Sequence, residues 1–165
     1  MIAIANVDKN LGIGLDNNLL IYIKEDMNFF KEQTTDNIVI MGKNTLFSFK
    51  DKKPLKNRLN IVFTRDTSLK EQYKDYDNIL FVNDKEELKT ILNNHKDKKH
   101  FVIGGESIYK LLINDCDTLL LTEVDKIFEA NKFFPDYKNL GFKETYRSED
   151  KFIDDIKYNF VTYKK

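Results

Sequence analysis

The chain has no tryptophan, a single cysteine and only two prolines in 165 residues. Without tryptophan no indole N–H donor exists anywhere in it. Cys116 alone excludes an intrachain disulfide, and His95 and His100 stand in lysine-rich sequence away from any Cys/His/Asp cluster, so no metal site is expected. An excess of one charge is also lacking. The 27 Lys and Arg balance 27 Asp and Glu, which argues against a nucleic-acid partner or a polybasic membrane surface. No apolar run approaches a membrane span, and Lys and Asp interrupt the N-terminal apolar residues where a signal peptide would be continuous, so a cytoplasmic protein is expected. The chain does have apolar material: 41% hydrophobic and 13% aromatic residues are enough to build a core without staples, and the length predicts one domain over residues 1–165.

Arginine is scarce as well. Only Arg58, Arg65 and Arg147 occur, so 24 of the 27 basic residues are lysine. Where lysine is the default cation, each arginine is a candidate for a place that needs a planar guanidinium.

Short β-branched or aromatic runs predict strands at Ile2 to Val7, Ile38 to Met41, Leu59 to Thr64, Asn78 to Val82, Phe101 to Ile103 and Thr118 to Val124. Lys143 to Ser148 and Lys157 to Tyr163 read as an antiparallel pair. Helices are predicted over Glu25 to Thr34, Thr45 to Phe49, Asp84 to Asn94 and Ser107 to Leu112, the third opened by an Asn83 cap with Glu86 three residues on. Strands separated by single helices imply parallel crossovers. The predicted fold is α/β, a mostly parallel central sheet flanked by helices, with an antiparallel C-terminal hairpin.

Five of the six glycines fall in three places, each after a strand candidate: Gly12 and Gly14, Gly42, and Gly104-Gly105. Strand ends need turns, and glycine makes them; but open α/β sheets also bind ligands at those ends. Gly104-Gly105 leads into a helix, where unhindered backbone N–H groups suit a pyrophosphate. Gly42-Lys43-Asn44-Thr45 repeats the arrangement with a cation and a hydroxyl. No Gly-x-Gly-x-x-Gly fingerprint is present, so an ordinary Rossmann domain is disfavoured. Glu25 and Asp26 open the first helix, where carboxylates complement the dipole. Asp26 also shares a helical face with Phe29 and Phe30, so it could lie in a partly dry cleft and receive an amidine-like N–H pair such as a pterin carries.

Together these residues resemble the dihydrofolate reductase family across essentially the whole chain. The ordered set is Val7-Asp8, Gly12-Ile13-Gly14, Asp16-Asn17-Asn18-Leu19, Glu25-Asp26 with Phe30, Ile40 to Thr45, Pro54-Leu55 with Arg58, and Asn60 to Val62 with Thr64-Arg65. It continues through Val102 to Gly105 with Ile108-Tyr109, Leu121-Thr122 and Phe134 to Tyr137. The resemblance implies NADPH-dependent reduction of 7,8-dihydrofolate, hydride going to C6 and a proton to N5, by a protein expected to act as a monomer. Asp26, assisted by Thr122 and with Ile21 nearby, would serve the chemistry. Ile4, Asn6, Met27, Phe30, Phe49, Leu55, Ile103 and Tyr109 would line the substrate cleft, and Arg58 would pair with the α-carboxylate of the glutamate tail. Ile13, Gly14, Leu19, Gly42, Lys43, Asn44, Thr45, Thr64, Arg65, Gly104, Gly105, Ser107 and Ile108 fall at NADPH-contacting positions, Lys43 and Arg65 beside the 2′-phosphate. The Gly-Gly bond is cis in the family, and Leu11 to Lys24 would form the mobile loop over the nicotinamide.

Four positions depart from the family pattern. Leu19-Leu20-Ile21 stands for Leu-Pro-Trp, Lys24 replaces a second proline, and Asn6 replaces a usual alanine. Losing the indole and two prolines bears on catalytic efficiency and loop closure. Two other functions are compatible with the pattern: a folate-binding homologue without turnover, and the related pyrimidinone reductase of riboflavin synthesis, which the folate-type spacing of Asp26, Phe30 and Arg58 disfavours.

Overall fold

The computed structural model describes residues 1–165. The six strands predicted as parallel form one sheet: β1 (Ile2–Val7), β3 (Ile38–Gly42), β4 (Leu59–Phe63), β5 (Ile79–Val82), β6 (His100–Gly104) and β7 (Thr118–Val124). β2 (Gly12–Gly14) and β8 (Lys132–Phe133) pair separately, while β9 (Lys143–Arg147), β10 (Lys151–Ile153) and β11 (Ile156–Lys164) complete the main sheet. Its order is β10-β11-β7-β1-β6-β3-β4-β5, with β9 also on β11. β11 runs antiparallel to β7, β9 and β10, and every other pair in the main sheet is parallel.

Both faces of the central strands are apolar because helices cover both. In β3, Ile38 and Ile40 join one core with Ile61, Val102 and Leu88, whereas Val39 and Met41 point into another with Ile4, Val62 and Phe101. This alternation across a doubly covered sheet explains the near-continuous Ile-Val-Ile-Met run, fully buried throughout. The second core takes Phe29 and Phe30 of α1 (Lys24–Thr34), Leu46 of α2 (Lys43–Ser48) and Leu69 of α3 (Ser68–Gln72). The first takes Leu88 and Leu92 of α4 (Lys85–Asn93) and Ile108, Tyr109 and Leu112 of α5 (Glu106–Leu112). Helices α1 to α3 therefore lie on one face and α4 and α5 on the other.

One local expectation is corrected, and α3 and β10 are added to the predicted set. The cap of α4 is Asp84, not Asn83: its carboxylate accepts Glu87 N–H at 2.9 Å while Glu87 Oε2 accepts Asn83 N–H at 2.7 Å. The reciprocal box is thus shifted by one residue, since it is Asp84 whose extended backbone aims its carboxylate at the third N–H. The five-residue α3 and the three-residue β10 had no sequence expectation, being too short to show a period. The antiparallel pair β9–β11 is present, but β10 shares the same side of β11 and forms the tighter hairpin through Asp154, at φ 53°. No helix is long and apolar enough to cross a membrane.

Candidate active site

The carboxylate of Asp26 is received at the carboxyl ends of two central strands. Asn6 of β1 and Thr122 of β7 are directly paired Cα partners, so their side chains leave neighbouring strands at one level on one face. Asp26, in the first turn of α1, meets both: Thr122 Oγ1 donates to Oδ1 at 2.5 Å and Asn6 Nδ2 donates to Oδ2 at 2.9 Å. No ion pair reaches it. Burial pushes its carboxyl above the usual aspartate range, against the opposite pull of the Thr122 and Asn6 hydrogen bonds. Its neighbour Glu25 serves a different purpose, accepting the Tyr158 hydroxyl at 2.8 Å and pairing with Lys151 at 2.8 Å, which ties α1 to the C-terminal strands.

Most of the apolar expectations gather on one core cluster, on the sheet face that α1 covers. Phe30, Phe49, Leu55 and Ile103 are half-buried and pack on the core cluster that contains Ile4, leaving part of each ring or chain free. Met27, on the outer side of α1, is 37% exposed. Tyr109 differs from the sequence expectation. It is buried behind β1, where its hydroxyl donates to Ile4 O at 2.6 Å and its ring packs on Phe134 at 4.8 Å between centroids, so it presents little surface to a ligand. Ile21 is half-buried against a separate small cluster of Ile23, Val124 and Tyr158, with Phe128 and Phe160 beside it.

Arg58 lies at the far end of α1. Its Nε–H donates to Lys56 O at 2.9 Å and one terminal N–H to Thr34 Oγ1 at 3.1 Å. It forms no ion pair although half-buried. A guanidinium has five N–H donors, so three remain, on a fork already fixed in orientation. Arg147, by contrast, is engaged with Glu123 and Glu144 at 3.0 and 2.7 Å on the opposite sheet face, so scarcity of arginine marked one candidate site residue and one surface network.

The glycine turns stand at consecutive strand ends. β6, β3 and β4 are neighbours, with Met41 opposite Gly104 and Gly42 opposite Phe63, so Gly104-Gly105, Gly42 to Thr45 and Thr64-Arg65 lie side by side. The Gly104-Gly105 peptide is cis. A Cβ at Gly42 would stand 3.2 Å from Ile108 Cγ1, and one at Gly104 3.1 Å from Tyr109 Cε2. Glycine at these two positions lets the strand ends pack closely on Ile108 and Tyr109 of α5, and Thr45 Oγ1 lies 3.8 Å from where a Gly105 Cβ would be. Neither α2 nor α5 takes a side-chain cap. Lys43 is half-buried; Asn44, Arg65 and Ser107 are exposed. Thr64 Oγ1 accepts Asp66 N–H at 3.0 Å, and no carboxylate pairs with Lys43 or Arg65.

Ile13 and Gly14 belong to β2 and Leu19 to the loop that follows it. Gly12 pairs with Phe133 and Gly14 with Lys132, while Leu19, 60% exposed, lines a cavity of about 370 Å³ with Leu20, Phe128 and Glu129. The anchor of this segment has no role assigned from the sequence. Asp8, 5% exposed, accepts backbone N–H groups of Asn10 and Gly12 at 2.8 Å and of Phe128 at 3.0 Å, so one carboxylate holds both loops. The Asp-x-Asn-x-Gly spacing, an Asx-turn pattern, was the available signal. Another cavity, of about 460 Å³, is lined by Val7, Glu123 and Asn159 among others, which alternate with Asn6, Thr122 and Phe160 and so face the other side of the sheet. None of the residues expected to bind substrate or cofactor lines it.

A family model described as dihydrofolate reductase matches residues 1–165. The chain belongs to the dihydrofolate reductase family. It is 32% identical to the dihydrofolate reductase of Heliothis virescens over 98% of this chain and 95% of that one. It is also 34% identical to that of Buchnera aphidicola subsp. Acyrthosiphon pisum over 86% and 83% of the two chains. A solved dihydrofolate reductase from Enterococcus faecalis, complexed with NADP(H) and RAB-propyl, superposes with a TM-score of 0.80 at 28% identity, covering 99% of this chain and 94% of that one. As a family member the chain is an NADPH-dependent oxidoreductase, and a parallel sheet with an antiparallel C-terminal edge is the architecture it shares with that neighbour.

Proposed function

We propose that this protein reduces 7,8-dihydrofolate to 5,6,7,8-tetrahydrofolate, with hydride added at C6 and a proton at N5. The observation that carries the reading is the part-buried Asp26 carboxylate, on one helical face of α1 with Phe30 and bracketed by Asn6 and Thr122, with no cation in contact. Such an anion lacks a charged partner that the protein could have supplied, and the 2-amino and N3 edge of a pterin offers two parallel N–H donors to it. Arg58, an oriented guanidinium without a carboxylate, would receive the glutamate tail at the other end of the cleft.

The nicotinamide of NADPH supplies the hydride. The glycine floor of Gly42, Gly104 and Gly105 fits a pyrophosphate passing close over backbone, with Thr45 and Ser107 at its sides, and Lys43 and Arg65 are free to hold the 2′-phosphate. The protein's contribution is juxtaposition, electrostatics and exclusion of water. Asp26 holds negative charge against the pterin, which favours the protonated N5; the proton itself can arrive through water. Ile13, Gly14 and Leu19 would close over the reacting ring.

NADPH oxidation followed by absorbance, with and without dihydrofolate, tests this reading. Oxidation that requires dihydrofolate and yields tetrahydrofolate supports it. Tight dihydrofolate binding without single-turnover hydride transfer would instead make the chain a folate-binding homologue.

Two further outcomes are expected. Efficiency with NADPH should exceed that with NADH by at least about tenfold, the scale of a charge-assisted hydrogen bond, and the joint Lys43→Ala, Arg65→Ala variant should lose that preference. A preference that survives the double change would remove both residues from the 2′-phosphate. Arg58→Lys should weaken dihydrofolate more than NADPH in equilibrium titrations, because lysine keeps the charge without the planar fork. Equal losses would point to a displaced α1, since Thr34 also loses its partner.

A further inference from the structure

We infer that Asn6 is a positioning residue for Asp26, holding its carboxylate as an oriented anion between β1 and β7 and so setting the pH range over which it can receive a cationic or donor-rich ligand edge. The ligand's identity rests on the proposed function; the role of Asn6 toward the carboxylate does not.

The bracket supplies one donor to each oxygen. Thr122 takes Oδ1 and Asn6 takes Oδ2, from paired positions on adjacent strands, which fixes the plane of the carboxylate and leaves the second lone pair of each oxygen for a ligand. The two donors are not equivalent. A hydroxyl can turn to accept from a protonated carboxyl, whereas the Asn6 Nδ2–H, as oriented here, can only donate and therefore discriminates for the anion. No cation shares the task. The titratable groups within electrostatic reach are Tyr109 on α5 and Tyr158 on β11, both neutral acids at physiological pH; Glu25 alongside is already tied to Tyr158 and Lys151. Two neutral hydrogen bonds are thus all that offsets burial, and the removal of one has no charged neighbour to mask it.

The test follows the Asp26 carboxyl by carbon NMR through a pH titration, assigned by its loss in Asp26→Asn, in the parent, Asn6→Ala and Asn6→Asp proteins. Asn6→Ala should raise the midpoint by about one pH unit, the scale of a lost hydrogen bond to a carboxylate. In Asn6→Asp the two carboxyls should titrate as a coupled pair with its upper step above the parent midpoint. Dihydrofolate affinity, measured by calorimetry without NADPH, should begin to fall on acidification at a correspondingly higher pH, with NADPH affinity unchanged. An unmoved midpoint in an Asn6→Ala protein that melts normally overturns the inference. If that variant does not fold, the isosteric Asn6→Asp decides, an upper step no higher than the parent midpoint being the adverse result. Failed turnover with a shifted carboxyl would reject the reductase reading while upholding the role of Asn6; normal turnover with an unmoved titration would do the reverse.

Discussion

Asp26→Asn is expected to lower turnover at neutral pH by about 10²-fold or more, the scale of acid–base assistance, while leaving NADPH affinity near that of the parent. The substitution keeps the shape of the side chain and removes only its charge. The new amide can present its oxygen to the Asn6 Nδ2–H and its NH2 to Thr122, whose hydroxyl can turn to accept, so the bracket survives. The lost term is the stabilisation of positive charge at N5, and hydride transfer should therefore recover as pH falls and the substrate is protonated without help.

Stability should move the other way. Burial raises the folded-state pKa of Asp26 above its unfolded value, so the folded protein binds this proton more tightly than the unfolded chain does. The stabilisation from this group is complete below about pH 3.9, the unfolded value, and is lost as pH rises through the folded value; above that, the ionised group is a standing cost. Asp26→Asn removes the cost, so at neutral pH the variant should melt at or above the parent temperature. A variant that is slow because it is unfolded would melt lower, and one that turns over normally at neutral pH would place the chemistry elsewhere.

Gly104→Ala is expected to produce the largest loss of stability and of NADPH affinity together. Gly104 sits at φ 115°, a region L-residues rarely enter, and the added Cβ would lie 3.1 Å from Tyr109 Cε2. Tyr109 cannot retreat, being held through its hydroxyl by Ile4 O and packed on Phe134. Backbone strain and overpacking together cost about 2–5 kcal/mol, equivalent to a fall in Tm of roughly 4–20 °C in a domain of this size. Gly141→Ala separates the two causes. Its φ of 91° imposes comparable strain, but the nearest atom to the new Cβ is Lys165 Cβ at 3.8 Å, so only the conformational part is felt. Thermal melts of both variants with and without NADPH read the comparison. Equal falls in Tm, with NADPH stabilising both alike, would show that the Gly104 floor is not shaped for the cofactor.

Much of this protein is determined by local sequence. The strands β1 and β7 run over the residues the apolar runs delimit, and the fully buried β3 announces itself by an unbroken apolar run, because a strand covered on both faces needs no polar alternation. The glycine turns are legible for a similar reason: close backbone approach excludes side chains, and that exclusion is written in residue type. The family itself is carried by these short ordered motifs. What local sequence does not determine is which groups meet across distance. Asp26 reads equally well as a dipole-complementing first-turn acid until Asn6 and Thr122, 20 and 96 residues away, close on it. Tyr109 fits a cleft wall by motif, yet the packing of α5 against β6 turns its hydroxyl to Ile4 O and buries it. Asp8 is one more surface-type residue until the chain returns 120 residues later with the Phe128 N–H it accepts. Hydrophobic periodicity encodes which face a residue shows, whereas hydrogen bonds between remote segments depend on sheet order and register, and those are set only when the whole core packs.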